Sequence, residues 1–178
     1  KYAWMKEYYP AQYEEMKKFI ESGRWHISGA SWDATDTLVP SIESAIRNIM
    51  LGQNYYRKEF GVESTDIFLP DCLGFGWTLP AIASHCGLIG FSSQKLQWRN
   101  KPFYGNDKYP FTIGLWQGID GSTIMMAHGY DYNQRFEDGD LSENKDLLEL
   151  TGHSPLHMVY RYYGTGDIGG SPTLEYVP

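Results

Sequence analysis

The chain is poor in cysteine, in clustered positive charge and in long apolar runs, and each shortage removes a class of protein. Among 178 residues there are 2 cysteines. Cys72 and Cys86 stand in neither a CxxC nor a zinc-finger spacing, so no disulfide framework or thiolate metal site is implied, and the redox compartment stays open. The 15 Lys and Arg are outnumbered by 22 Asp and Glu, a formal net charge of -7. No basic cluster offers the concentrated positive face that phosphate binding needs, which argues against nucleic acid and anionic membrane as partners. There is no run of about 18 apolar residues to span a bilayer, and the opening KYAWMKEYYP is not a signal peptide. The 5 histidines form neither HxH nor HExxH, so no complete zinc site can be read from local spacing.

What is present points to a globular protein. Hydrophobic residues make up 42% of the chain, enough for a sizeable core, and no repeat, low-complexity tract or linker divides it. Its 14 Tyr and 6 Trp exceed what a core needs, and flat rings with polar tips suit sugar rings or protein interfaces. The chain has no initiator Met, and its last residues, LEYVP, lack a polar cap. A single partial domain over 1–178, with segments missing at both ends, is therefore expected.

Helical spacing of Tyr13, Met16, Phe19 and Ile20 predicts a helix from Ala11 that ends at Gly23. A short strand is expected at 25–28, then a polar loop carrying Trp32, Asp33 and Asp36. Ser41 is the expected N-cap of a second helix, with Ile42, Ala45, Ile46, Ile49 and Met50 on one face and Gly61 closing it. Strands are expected at 66–69, 88–92 and 157–162, short helices at 78–86 and 143–150, and a hairpin from 112–116 to 123–127 turning on Asp120-Gly121. The polar, aromatic stretch SQKLQWRNKPFYGNDKYP reads as a binding loop, and 130–140 as an acidic one. Alternation of strand and helix argues an α/β layout with a mainly parallel sheet, open or curled into a barrel, whose post-strand loops share one end.

Asp33, Asp71 and Asp167 each come after an expected strand and would share that end. Asp71 lies in LPDCLGFGWTLP, where Pro70 stops ladder donation and Gly74 and Gly76 permit a tight turn. Two carboxylates among Trp and Tyr are what glycoside hydrolysis needs, one to attack or activate water and one to protonate the leaving oxygen. The plainer alternative is that Asp71 and Asp167 are turn residues making Asx hydrogen bonds. His26 and His85 read as core or surface residues, and His128, at a strand end, is the histidine best placed for a site. Cys86 reads as core, and Cys72 as a residue under the Asp71 loop.

In order along the chain, GRWHISGASWDATDTLVPSIESAIRNIMLGQNYYRKEFG, LPDCLGFGWTLPAIASHCGL, FSSQKLQW, LWQGIDGSTI and YGTGDIGGSPT resemble the catalytic domain of the glycoside hydrolase family 38 α-mannosidases. The resemblance implies part of a seven-stranded β/α barrel with one added hairpin, a retaining mechanism, and zinc or another divalent metal. By position, Asp71 matches the nucleophile that also ligates the metal, and Asp167 the acid/base. Lys95 stands where some members carry Arg near the sugar, and Trp32 lines the pocket. Leu73 occupies a position that is often aromatic. The family's HxD pair would lie before Lys1 and a further His ligand after Pro178, so the metal site is expected to be incomplete in this chain. The implied partners are a mannose-containing glycan and the remainder of the same polypeptide. A non-catalytic carbohydrate-binding domain and a metal-dependent carbohydrate deacetylase are the alternatives.

Overall fold

A computed structural model of the chain describes residues 1–95, 112–129 and 141–162. Two helices come first, α1 (Tyr2–Tyr8) and α2 (Pro10–Glu21), split where Pro10 at the first helical position of α2 cannot donate into α1. Tyr13, Met16 and Ile20 form the buried stripe of α2, against Tyr2, Met5, Ile27 and Phe60. Phe19, expected in the same stripe, is part exposed with the Arg24 guanidinium over its ring.

The long helix α3 (Ile42–Phe60) starts as expected, since the Ser41 hydroxyl accepts from Ser44 N, and ends at Gly61 in a left-handed conformation that glycine adopts without strain. Its buried face is Ile49, Gly52, Gln53 and Tyr56, with Ala45 and Ile46 half-buried. Ile42 and Met50 are exposed instead, because the helix also packs on the side of Gly52, against 30–32, and of Gln53, against Ser64.

The sheet comes next, built from β1 (Asp66–Phe68), β2 (Gly90–Ser93), β3 (Ile113–Gln117) and β4 (Thr123–His128), with helix α4 (Leu79–His85) between β1 and β2 in sequence and a spatial order β1-β2-β4-β3. The β1–β2 and β2–β4 pairs are parallel, and β3–β4 is the antiparallel hairpin expected around Asp120-Gly121. Ser122 donates to Asp120 Oδ1 from both N and Oγ, which holds that carboxyl below its usual range and fixes the turn. Ile67, Phe91 and Ile124 point to the side covered by Leu79, Ile82 and Ala83 of α4 and by Ile49 of α3, one continuous core. On the opposite side Leu115 and Met125, partners across the hairpin, remain exposed. A last helix, α5, spans Lys145–His153.

Two expected strands are not strands. The run 25–28 is irregular because the chain at 28–30 is held by the Asp66 side chain rather than by a ladder: Gly29 N and Ser28 Oγ donate to its carboxylate, and only Ala30 N reaches the Asp66 carbonyl. Gly29 has φ 80, which breaks the extended course a strand requires. At 157–162 His157 has positive φ, and Tyr160 N donates to the Thr112 hydroxyl, so this run also makes no ladder.

The close approach of α3 to the segment beside β1 depends on Gly52. A Cβ there would stand 2.0 Å from Ala30 O and 2.7 Å from Ser31 C, both backbone atoms. Alanine favours a helix interior by about 1 kcal/mol, whereas overpacking against rigid backbone costs about 1–3 kcal/mol or more. Gly52→Ala is therefore expected to lower the denaturant midpoint despite its better helix propensity; an unchanged or higher midpoint in urea unfolding would show that the contact is loose.

Candidate functional site

Parallel strands bring their C-terminal ends to one edge, and the candidate residues Asp71 and Lys95 follow two of those ends. Leu69 N continues the ladder by donating to Ser92 O, then Pro70 ends it and Asp71 turns out to solvent. On the neighbouring strand Ser93 is succeeded by Gln94 and Lys95. Phe68 is opposite Ser92; Asp71 lies three residues past the first and Lys95 three past the second, so the pair meets. Lys95 Nζ is 2.6 Å from Asp71 Oδ1.

The pair is lopsided in exposure. The Asp71 side chain is 63% exposed and that of Lys95 only 9%. The ammonium reaches the carboxylate from beneath while the carboxylate faces solvent. Such a contact orients the carboxylate and leaves it open to a ligand, an arrangement that would suit a nucleophile or a hydroxyl acceptor. His128, fully buried at the end of β4 and opposite Ser93, closes the same edge further along.

The Asp71 loop is tied to the loop 31–40 on its other side. Cys72 Sγ donates to Thr35 O at 3.0 Å, and Thr37 Oγ1 donates to Gly74 O at 2.8 Å. Leu38 sits over Gly74, its Cδ1 2.4 Å from where a Cβ would be. The loop 31–40 is in turn fixed to α3, where Trp32 N donates to Asn48 O and the Asn48 amide both accepts from Asp33 N and donates to Asp33 O. Asp33 spends its carboxylate locally, accepting from Ala34 N, and Trp32 is half exposed with its ring edge-on to Tyr55 of α3 at 5.4 Å.

The expected residues thus fall into three groups. Asp71 and Lys95 are brought together, Trp32 and Asp33 are carried by the adjoining loop, and Asp167 lies outside the described residues. The aromatic stretch beyond Lys95 and the acidic loop 130–140 lie outside them too. His26 and His85 are exposed, and Cys86 lies half-buried against the core. The sequence reading missed Thr37 and the direct pairing of Lys95 with Asp71. The pairing follows from the parallel register of β1 and β2, and the Thr37 contact from the packing of the loop 31–40 on the Asp71 loop, neither of which local spacing encodes. Among the described residues no three His, Cys, Asp or Glu side chains group to hold a metal. Asp71 offers one hard oxygen donor where zinc takes three or four protein ligands, so the described residues alone do not fit that ion. Also among them, no helix is long and apolar enough to cross a membrane.

A mostly parallel sheet with helices on its covered side and an ion-paired carboxylate past a strand end define an α/β domain. Its family is specific: residues 1–177 match the model described as Glycosyl hydrolases family 38 N-terminal domain, and the chain belongs to that family. It is 36% identical over 182 residues to Alpha-mannosidase G of Dictyostelium discoideum, covering 99% of this chain and 16% of that protein. Identity is 30% over 176 residues with Alpha-mannosidase 2C1 of Homo sapiens, covering 96% of this chain and 16% of that one. The chain therefore spans about a sixth of the length of these relatives. Among solved structures, an alpha-mannosidase from Enterococcus faecalis V583 superposes with TM-score 0.58 at 22% identity, over 70% of this chain and 14% of that one. A 4-alpha-glucanotransferase from Thermococcus litoralis superposes with TM-score 0.67 at 14% identity, over 92% and 25%. At those identities the two structures speak for the fold alone.

The surroundings of Cys72 give a test of this geometry that needs no substrate. Burial pushes its thiol up, and the charges of Asp36 and Asp71 push it further; Cys86 is raised by burial only. A raised thiol holds less thiolate at any pH below its own value, so both cysteines should alkylate slowly near neutrality. Asp71→Asn removes one negative neighbour, so Cys72 should alkylate faster at pH 8 while Cys86 keeps its rate, read by peptide mass spectrometry. An equal change at both would show that the fold had loosened instead.

Proposed function

We propose that the protein carrying this chain is a retaining, metal-dependent α-mannosidase that hydrolyses α-linked mannose in glycans or oligosaccharides. The chain forms part of its seven-stranded β/α barrel. The observation that carries this is the Asp71–Lys95 pair past the ends of parallel strands in a chain of this family. The names of the relatives, each an alpha-mannosidase, supply the sugar. The barrel is supported by a sheet that is covered on one face and part exposed at Phe68, Leu115 and Met125 on the other, since parallel sheets are ordinarily covered on both.

Asp71 attacks the anomeric carbon as Asp167 gives its proton to the departing glycosidic oxygen, so one C–O bond forms while another breaks. Water then attacks the same carbon, gives a proton back to Asp167 and releases the Asp71 carboxylate, leaving the configuration retained. Lys95 keeps the carboxylate aimed before attack, when an unpaired side chain would wander among rotamers. The half-exposed Trp32 supplies a flat face for a sugar ring. Zinc or another divalent ion belongs to the whole protein in this proposal, with Asp71 as one ligand and the other donors from outside the described residues.

Asp71→Asn in the full-length protein is expected to cut turnover of an aryl α-mannoside by about a thousandfold or more, the scale for loss of a covalent nucleophile; near-normal turnover would sink the assignment. Chelation of the full-length protein is expected to stop the same reaction and added zinc to restore it. Full activity in a protein shown by elemental analysis to be metal-free would remove the metal from the proposal.

A further inference from the structure

We propose that the loop 31–40 is a positioning collar for Asp71, and that Thr37 is its positioning residue. The inference rests on Asp71 being the attacking carboxylate. Asp71 sits in no helix or strand, its side chain is mostly exposed, and among the described residues Lys95 reaches it at Oδ1. An in-line attack tolerates little wandering of the attacking oxygen, so the loop must be held elsewhere as well.

The hold is a run of contacts at constant offset. Gly29 meets Asp66, Thr35 meets Cys72 and Thr37 meets Gly74, each pair 37 residues apart in sequence. The two segments therefore travel side by side in the same direction, as parallel strands would, joined by one backbone bond, Ala30 N to Asp66 O, and otherwise through side chains. The ties, one through the Cys72 thiol and one to the Gly74 carbonyl, lie one and three residues past Asp71, so they hold the chain immediately beyond it. The thiol is a weak donor and the hydroxyl a good one, which makes Thr37 the stronger tie. Leu38 fills the space above Gly74. The collar has its own anchor, because the Asn48 amide of α3 grips Asp33 from both sides and Gly52 lets α3 close on 30–32. Rigid helix, loop and carboxylate are thus linked in one line.

The test uses the full-length protein and an aryl α-mannoside. Thr37→Val keeps the shape and removes the donor, and is expected to lower kcat about tenfold with KM and thermal midpoint unchanged, since small misplacements cost rate rather than binding. Thr37→Ser keeps the donor and should restore most of kcat; that rescue separates positioning from packing. Cys72→Ala, which cuts the neighbouring tie, should lower kcat in the same direction. Wild-type kcat in a folded Thr37→Val protein, alongside an inactive Asp71→Asn protein, would overturn the collar and leave the nucleophile standing. Activity in Asp71→Asn would overturn the nucleophile itself. Should Thr37→Val not fold, an unchanged kcat in folded Cys72→Ala overturns the collar instead.

Discussion

The site depends on the parallel register of β1 and β2. Phe68 opposite Ser92 commits every residue beyond them, and Asp71 and Lys95, each three residues further on, arrive side by side. A one-residue slip would send both strands' side chains to the wrong faces, burying what is exposed and exposing Ile67 or Phe91. The hydrophobic core therefore enforces the pairing: Ile67, Phe91 and Ile124, on adjacent strands, must all face α3 and α4 together. A carboxylate and an ammonium 24 positions apart meet because apolar side chains elsewhere have nowhere else to go.

The second support is made of polar groups that replace a missing strand. The segment before the collar takes no ladder from β1, yet it is pinned by the Asp66 carboxylate, by the Asp66 carbonyl, and by the Tyr56 hydroxyl on Gly29 O. Burial pushes the Tyr56 hydroxyl up to about 12, so it stays a donor across ordinary pH. Gln53 of α3 does related work one turn away, its buried amide clamping both N–H and carbonyl of Ser64 just before β1 begins. Helix α3 thus supplies a floor for the segments on either side of it, and the Asp71 loop is tied to one of them through Thr35 and Thr37.

The helices were largely legible, because caps and stops are local. Ser41 accepts from Ser44 N, Gly61 takes the left-handed conformation, and Asp120-Gly121 turns a hairpin. The misread segments are those where a side chain took a backbone partner's place. At 25–30 the Asp66 carboxylate stood in for a strand, and at 157–162 the Thr112 hydroxyl did so. Propensity sees a run of extended-type residues but not the group that will satisfy their N–H donors. The outward rotation of Ile42 and Met50 has a similar origin. Their spacing fits a helical face, but Gly52, lacking a side chain, let the backbone of α3 come closest on another one.

By itself the sequence determined the α/β class, the family and the identity of Asp71 as the residue to explain, since these rest on composition, ordered motifs and local turn chemistry. It also named Lys95 and Trp32 without saying what held them. Only the tertiary structure decided that Lys95 reaches Asp71 from below, that Trp32 leans on Tyr55, and that Thr35 and Thr37 grip the far side of the loop. Those contacts join residues 23 to 37 positions apart. Their partners are fixed by strand register and helix docking, which are properties of the assembled core and are written in no single stretch of chain.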